Sequence, residues 1–126
     1  MHPSQLIALL ILIATLTGCD NEPPQPRSEY SAHELFLEVR CDACHGSEGR
    51  GSWMGPALEG LDAYWQAGEI AAYLEDPEAV IEVTPRLAAM RHQYPSVMRS
   101  FPELSPEERR RIADWLLSRD AEGPTK

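Results

Sequence analysis

The chain has 126 residues and a formal net charge of −9 at pH 7. That length suits one domain, and that charge excludes a nucleic-acid binder, because phosphates need a basic face. The three cysteines, Cys19, Cys41 and Cys44, cannot build a disulfide framework unless Cys41 pairs with Cys44.

Residues 6–16 read LIALLILIATL, apolar apart from Thr15. The run falls short of the roughly 20 apolar residues that a spanning helix needs, and it has the length of a signal-peptide core. It leads into Leu16-Thr17-Gly18-Cys19. This resembles the bacterial lipoprotein signal, in which a small residue precedes a cysteine that is lipidated and becomes the new N-terminus. The plainer alternative is an ordinary secretory signal with a chance cysteine. The resemblance implies that residues 1–18 are removed and that Cys19 carries the lipid. It also implies, from Asp20 next to that cysteine, retention at the periplasmic face of the inner membrane. Residues 19–30 are polar and contain three prolines, so they are expected to form a flexible linker. The folded domain is expected over 31–120, with 121–126 as a disordered tail.

The rest reads as all-α. Residues 32–40 place Leu35, Phe36 and Val39 on one helical face. Residues 46–60 hold five glycines and Pro56, which predicts a loop. A helix is expected over 63–74, with Ile70, Tyr73 and Leu74 as its apolar stripe and Gly68 as a point where it could split. Asp76-Pro77 marks a boundary or a new turn. Residues 85–102 are punctuated by Pro85, Pro95 and Pro102, with a short helix over 86–91. Ser105-Pro106-Glu107-Glu108 supplies an N-cap hydroxyl, a proline at the first helical position and a capping-box glutamate. Ile112, Trp115 and Leu116 continue that last helix as its buried stripe. No alternating strand is present in the pattern. Trp53, Leu58, Tyr64, Trp65 and Tyr73 either line a group held at the centre or form core, and residue type favours core. His33 and His92 are expected at the surface.

The chemistry concentrates at Cys41-Asp42-Ala43-Cys44-His45. Two cysteines three positions apart project to one side of a turn, and the histidine approaches from that side too. This is the spacing of c-type haem attachment, with Cys41 and Cys44 as thioether donors and His45 as the proximal iron ligand. Two other readings compete. A structural zinc site needs four ligands; only Cys41, Cys44, His33 and His92 are available, without a second close pair. A thioredoxin-like dithiol needs a strand–helix setting, which the pattern lacks.

From this motif outward the chain resembles the monohaem class I cytochromes c. Phe36 lies five residues before Cys41, as the aromatic of that family's first helix often does. HGSEGRGSWMGPAL, from His45, is similar to its proximal loop. AAYLEDP, from Ala71, is similar to its middle helix. MRSFPELSPEERRRIADWL, from Met98, is similar to its axial-methionine loop and last helix. The likeness spans about residues 31–118. It implies a small domain of about three to five helices around one covalent haem c. It implies a Pro56 carbonyl that orients His45, and a methionine opposite the histidine. Met98 has the family's spacing to the last helix; Met90, Met54 and His92 are the alternatives. Two departures stand out: Ala32 replaces a frequent glycine, and Arg99 replaces the proline that commonly follows the methionine.

The function implied is one-electron transfer outside the cytoplasm, not catalysis. The partners implied are redox proteins, such as membrane-bound electron-transfer complexes or periplasmic reductases, and the membrane itself through the anchor. The rival is a haem sensor or enzyme with a labile sixth coordination site. Charge is also divided along the chain. Residues 51–85 contain no Lys or Arg but seven acidic side chains, and Arg86, Arg91 and Arg99 follow.

Overall fold

The computed structural model describes residues 24–121. Cys19, residues 1–18, foreseen as a signal, and the last five residues, foreseen as a tail, lie outside them. Among the described residues there are six α-helices and no strand: α1 (Ala32–Glu38), α2 (Asp42–His45), α3 (Ala67–Glu75), α4 (Pro77–Val83), α5 (Pro85–Met90) and α6 (Pro106–Ala121). Two 3-10 turns stand at Arg27–Glu29 and Leu61–Ala63. None of these helices is long and apolar enough to cross a membrane. The all-α expectation holds, with the four-residue α2 and the short α4 beyond the number foreseen.

Local chemistry sets the helix ends. Ser31 and Glu34 form a reciprocal capping box at the start of α1, with Ser31 N–H donating to Glu34 Oε2 at 2.6 Å and Glu34 N–H donating to Ser31 Oγ at 3.2 Å. The end of α1 is a Schellman motif: Cys41 N–H reaches Phe36 O at 3.0 Å and Arg40 N–H reaches Leu37 O at 3.1 Å. The residue in the left-handed position is Arg40, at φ +64°. A non-glycine there costs about 1 kcal/mol, and the turn it makes delivers Cys41 directly to the site. The foreseen box at α6 is present, with Ser105 N–H to Glu108 Oε2 at 2.7 Å.

Three expectations are corrected. The helix foreseen over 63–74 begins at Ala67, because Gln66 and Glu69 cap it there, with Gln66 N–H donating to Glu69 Oε2 at 2.8 Å. Asp76-Pro77 opens a full helix: Asp76 Oδ1 accepts from Ala79 N–H at 3.1 Å, and Pro77 occupies the first turn. Residues 27–30, foreseen as the end of the linker, are bound to the domain: Arg27 pairs with Glu108 at 3.4 Å and donates to Glu103 O at 3.1 Å, and Tyr30 packs on the core with its carbonyl held by Arg111.

The core forms where α6 crosses α1 and α3. Leu35, Phe36, Ile70, Leu74, Ile112 and Leu116 are buried in it, joined by Phe101 and Leu104 from the segment before α6. Phe36 meets Trp115 edge-on at a centroid distance of 5.4 Å. Fully burying one such side chain contributes about 1.5–3 kcal/mol. This α1–α3–α6 frame holds the two loops that face the site.

Candidate haem site

Cys41, Cys44 and His45 line a single cavity of about 530 Å³, within the range of small-molecule sites. One turn of α2 brings them together, since His45 N–H bonds to Cys41 O at 3.0 Å. Both thiols are free. Cys41 is 7 % exposed. Burial, chiefly, pushes its thiol up to about 12, against the pull of the Arg99 charge. A pocket that so disfavours a thiolate suits an uncharged thioether.

His45 is 8 % exposed, and its Nδ1–H donates to Pro56 O at 2.8 Å. That bond fixes the tautomer and leaves Nε2 as the free nitrogen. Burial lowers the imidazole's pKa, while the bond to Pro56 works the other way. The neutral ring is the form that binds a metal. The loop that brings Pro56 back to His45 is closed by its own backbone: Gly51 N–H to His45 O at 2.8 Å, Ser52 N–H to Gly55 O at 2.9 Å and Leu58 N–H to Gly49 O at 2.8 Å. Two glycines make this closure possible. Gly51 stands at φ +85°, and a Cβ there would lie 2.6 Å from Ala57 N. A Cβ at Gly55 would lie 3.1 Å from Cys44 O.

Met54, Met90 and Met98 all border the cavity. Met98 is half-buried and packs on the core, whereas Met90 is 41 % and Met54 36 % exposed. Met54 rides on the histidine's own loop. Its N–H donates to Ser52 Oγ at 3.0 Å, and that hydroxyl donates to Cys44 O at 2.6 Å.

The aromatic expectations divide. Leu58, Trp65 and Tyr73 are half-buried along the cavity, Trp65 and Tyr73 meeting edge-on at 5.4 Å. Tyr64 borders the cavity but is 73 % exposed, and Trp53 is 77 % exposed on the loop, so neither is core. His33, foreseen at the surface, is half-buried on α1. It stacks on Trp115 at 5.1 Å, and its Nε2–H donates to Ser47 O at 3.1 Å, which pins the proximal loop to α1. Arg119 does the same from α6 by donating to Glu48 O. His92 is exposed, as foreseen.

Arg86 was not foreseen as part of the site. Its guanidinium lies 4.2 Å over the Trp65 ring, on the cavity wall, with no carboxylate partner among the described residues. The available signal was its place as the first base after the acidic run 51–85. Arg91 also borders the cavity and pairs with Glu78 at 2.7 Å. An apolar cavity with two thiols, a free imidazole nitrogen and a cationic wall fits a porphyrin that carries vinyl groups, iron and carboxylates. Zinc fits poorly, since no group of three or more His, Cys, Asp or Glu could hold a metal among the described residues.

The family model for cytochrome c matches residues 31–120. None of the curated proteins and none of the solved structures compared matches the chain. The matched span is the helical domain that builds the cavity, and the chain belongs to the cytochrome c family, as a haem-based electron carrier with covalently bound haem c.

Proposed function

We propose that this chain is a monohaem class I carrier of single electrons, held by lipid on Cys19 at the periplasmic face of the inner membrane, with His45 and Met98 as axial ligands. The observation that carries the ligand set is the shared cavity. His45 presents Nε2 to it from a loop locked to Pro56, and Met98 is the cavity-lining methionine packed on the core. Haem supplies an iron that takes up and gives back one electron. The protein's part is to hold that group by two thioethers, to fix the imidazole and to keep water away with apolar walls. If His45 and Met98 both hold the iron, no position would remain open for a substrate, and the chain would serve as a carrier and not as an enzyme. Its partners on this reading are membrane-bound electron-transfer complexes or periplasmic reductases.

Residues 19–26 could span at most about 30 Å. An anchor that short raises the haem's effective concentration near membrane partners. Two experiments test the reading. Haem-peroxidase staining of the denatured chain should show colour that stays with the polypeptide, and a colourless chain overturns it. Replacing Cys19 with Ser should move the red protein from membranes to the soluble periplasmic fraction; unchanged membrane association overturns the anchor. A sensor or enzyme with a labile sixth site is the second reading, favoured only by the sparse bonding of the Met98 loop. Carbon monoxide binding to the reduced wild-type protein would select it.

A further inference from the structure

The loop that carries Met98 has almost no backbone support of its own. Among the described residues, no backbone–backbone hydrogen bond involves residues 94–100, and the next one, Phe101 N–H to Leu74 O at 2.9 Å, ties only the loop's exit to α3. Beside the packing of Met98 on the core, the loop's hydrogen bonds come from one side chain. Arg99 Nη2 donates to Val39 O at 3.3 Å, at the end of α1. The same guanidinium grips Glu103 with both nitrogens, Nη2 to Oε1 at 2.6 Å and Nη1 to Oε2 at 3.3 Å. Nη1 also donates to Ser100 O at 2.9 Å, and the group lies 4.0 Å over the Phe101 ring. A planar fork can make these contacts together; a lysine ammonium cannot.

Val39 stands two residues before Cys41, and Arg99 directly follows Met98. The guanidinium therefore bridges the chain next to a haem-attachment point and the chain next to a methionine on the same cavity. We propose that Arg99 is a positioning residue: it clasps the Met98 loop to the end of α1 and so keeps the sulfur at the iron. This rests on the proposed Met98 ligation. A competing ligand binds the iron only in the fraction of molecules whose sulfur has left, so the apparent affinity for that competitor reads the clasp directly.

The test is an imidazole titration of the oxidised holoprotein, followed by loss of the sulfur-to-iron charge-transfer absorption. Arg99→Gln should raise the affinity for imidazole about fivefold, the factor that the upper end of an exposed ion pair's contribution allows. Arg99→Lys should fall between Arg99→Gln and wild type. Glu103→Gln, which removes only the far grip, should raise it about twofold, and it carries the test if Arg99→Gln does not take up haem. His33→Phe, which loosens the opposite loop, should lower the thermal midpoint and leave imidazole affinity unchanged. An unchanged affinity in Arg99→Gln or, failing that, in Glu103→Gln overturns the clasp while leaving Met98 as ligand. An equal rise in His33→Phe overturns it too, as general loosening. If the absorption persists in Met98→Ala, the ligand assignment itself fails and the clasp falls with it.

Discussion

Residues 46–60 and residues 91–104 face the same cavity and are held by different means. The first loop is closed by its own backbone around Gly51 and Gly55 and pinned from outside by His33 and Arg119. The second has the Phe101–Leu74 backbone bond at its exit and is otherwise held by side chains: Arg99 on Val39 O and Glu103, Arg91 on Glu78, Arg27 on Glu103 O and Arg109 on Leu104 O. A backbone-closed loop offers one geometry, and it presents His45 at a fixed angle. A side-chain-held loop can give way without unfolding the domain, because an exposed ion pair contributes only about 0–1 kcal/mol. The two sides of one iron should therefore differ in how readily they let go.

The largest expected effect belongs to the first loop. Gly51→Ala meets a backbone nitrogen at 2.6 Å and a φ of +85°, and it should cost about 2–3 kcal/mol. For a domain of this size that is roughly 10–20 °C in Tm. Pro95→Ala, at an exposed position of the second loop, should stay within about 0.5 kcal/mol. Thermal unfolding of the two holoproteins compares them, and equal losses would break the contrast. A smaller effect sharpens it. His33→Phe keeps the stack on Trp115 and loses the hydrogen bond to Ser47 O; it should cost about 1 kcal/mol in urea unfolding. No loss would mean that α1 does not pin the loop.

The same contrast explains what could be read from the chain. The histidine side is local: Cys41, Cys44, His45 and Pro56 lie within sixteen positions, and the bonds that join them follow from motif and turn chemistry. The last helix was equally plain, because Ser105, Pro106 and Glu108 act on their own first turn. Helix α4 bore the same kind of signature, Asp76 then Pro77, yet only a boundary or a new turn was foreseen there, since its apolar stripe is too short to announce a full helix. The side foreseen for the methionine is not local. Arg99 acts on Val39, sixty positions away, and Met98 stood out only by its spacing to the last helix, which says nothing of that contact. His33 shows the same limit: residue type predicts average burial, and its partners Trp115 and Ser47 come from distant segments.

The smallest expected effect is electrostatic. Glu59 of the acidic run borders the cavity, and so do Arg86 and Arg91. With a net charge of −9 overall, reduction by a cationic small reagent should outpace reduction by an anionic one of similar potential. The difference should close as ionic strength rises past about 0.15 M, where the Debye length is about 8 Å. Stopped-flow rates that ignore salt would show that the divided charge does not steer encounters.

The central claim is that Met98 closes the side opposite His45, and the sulfur-to-iron charge-transfer absorption of the oxidised holoprotein tests it most directly. The account predicts that Met98→Ala abolishes that absorption and lowers the reduction potential, while Met90→Ala leaves the absorption in place. Its survival in Met98→Ala, with loss in Met90→Ala, would contradict the account and move the ligand to the end of α5.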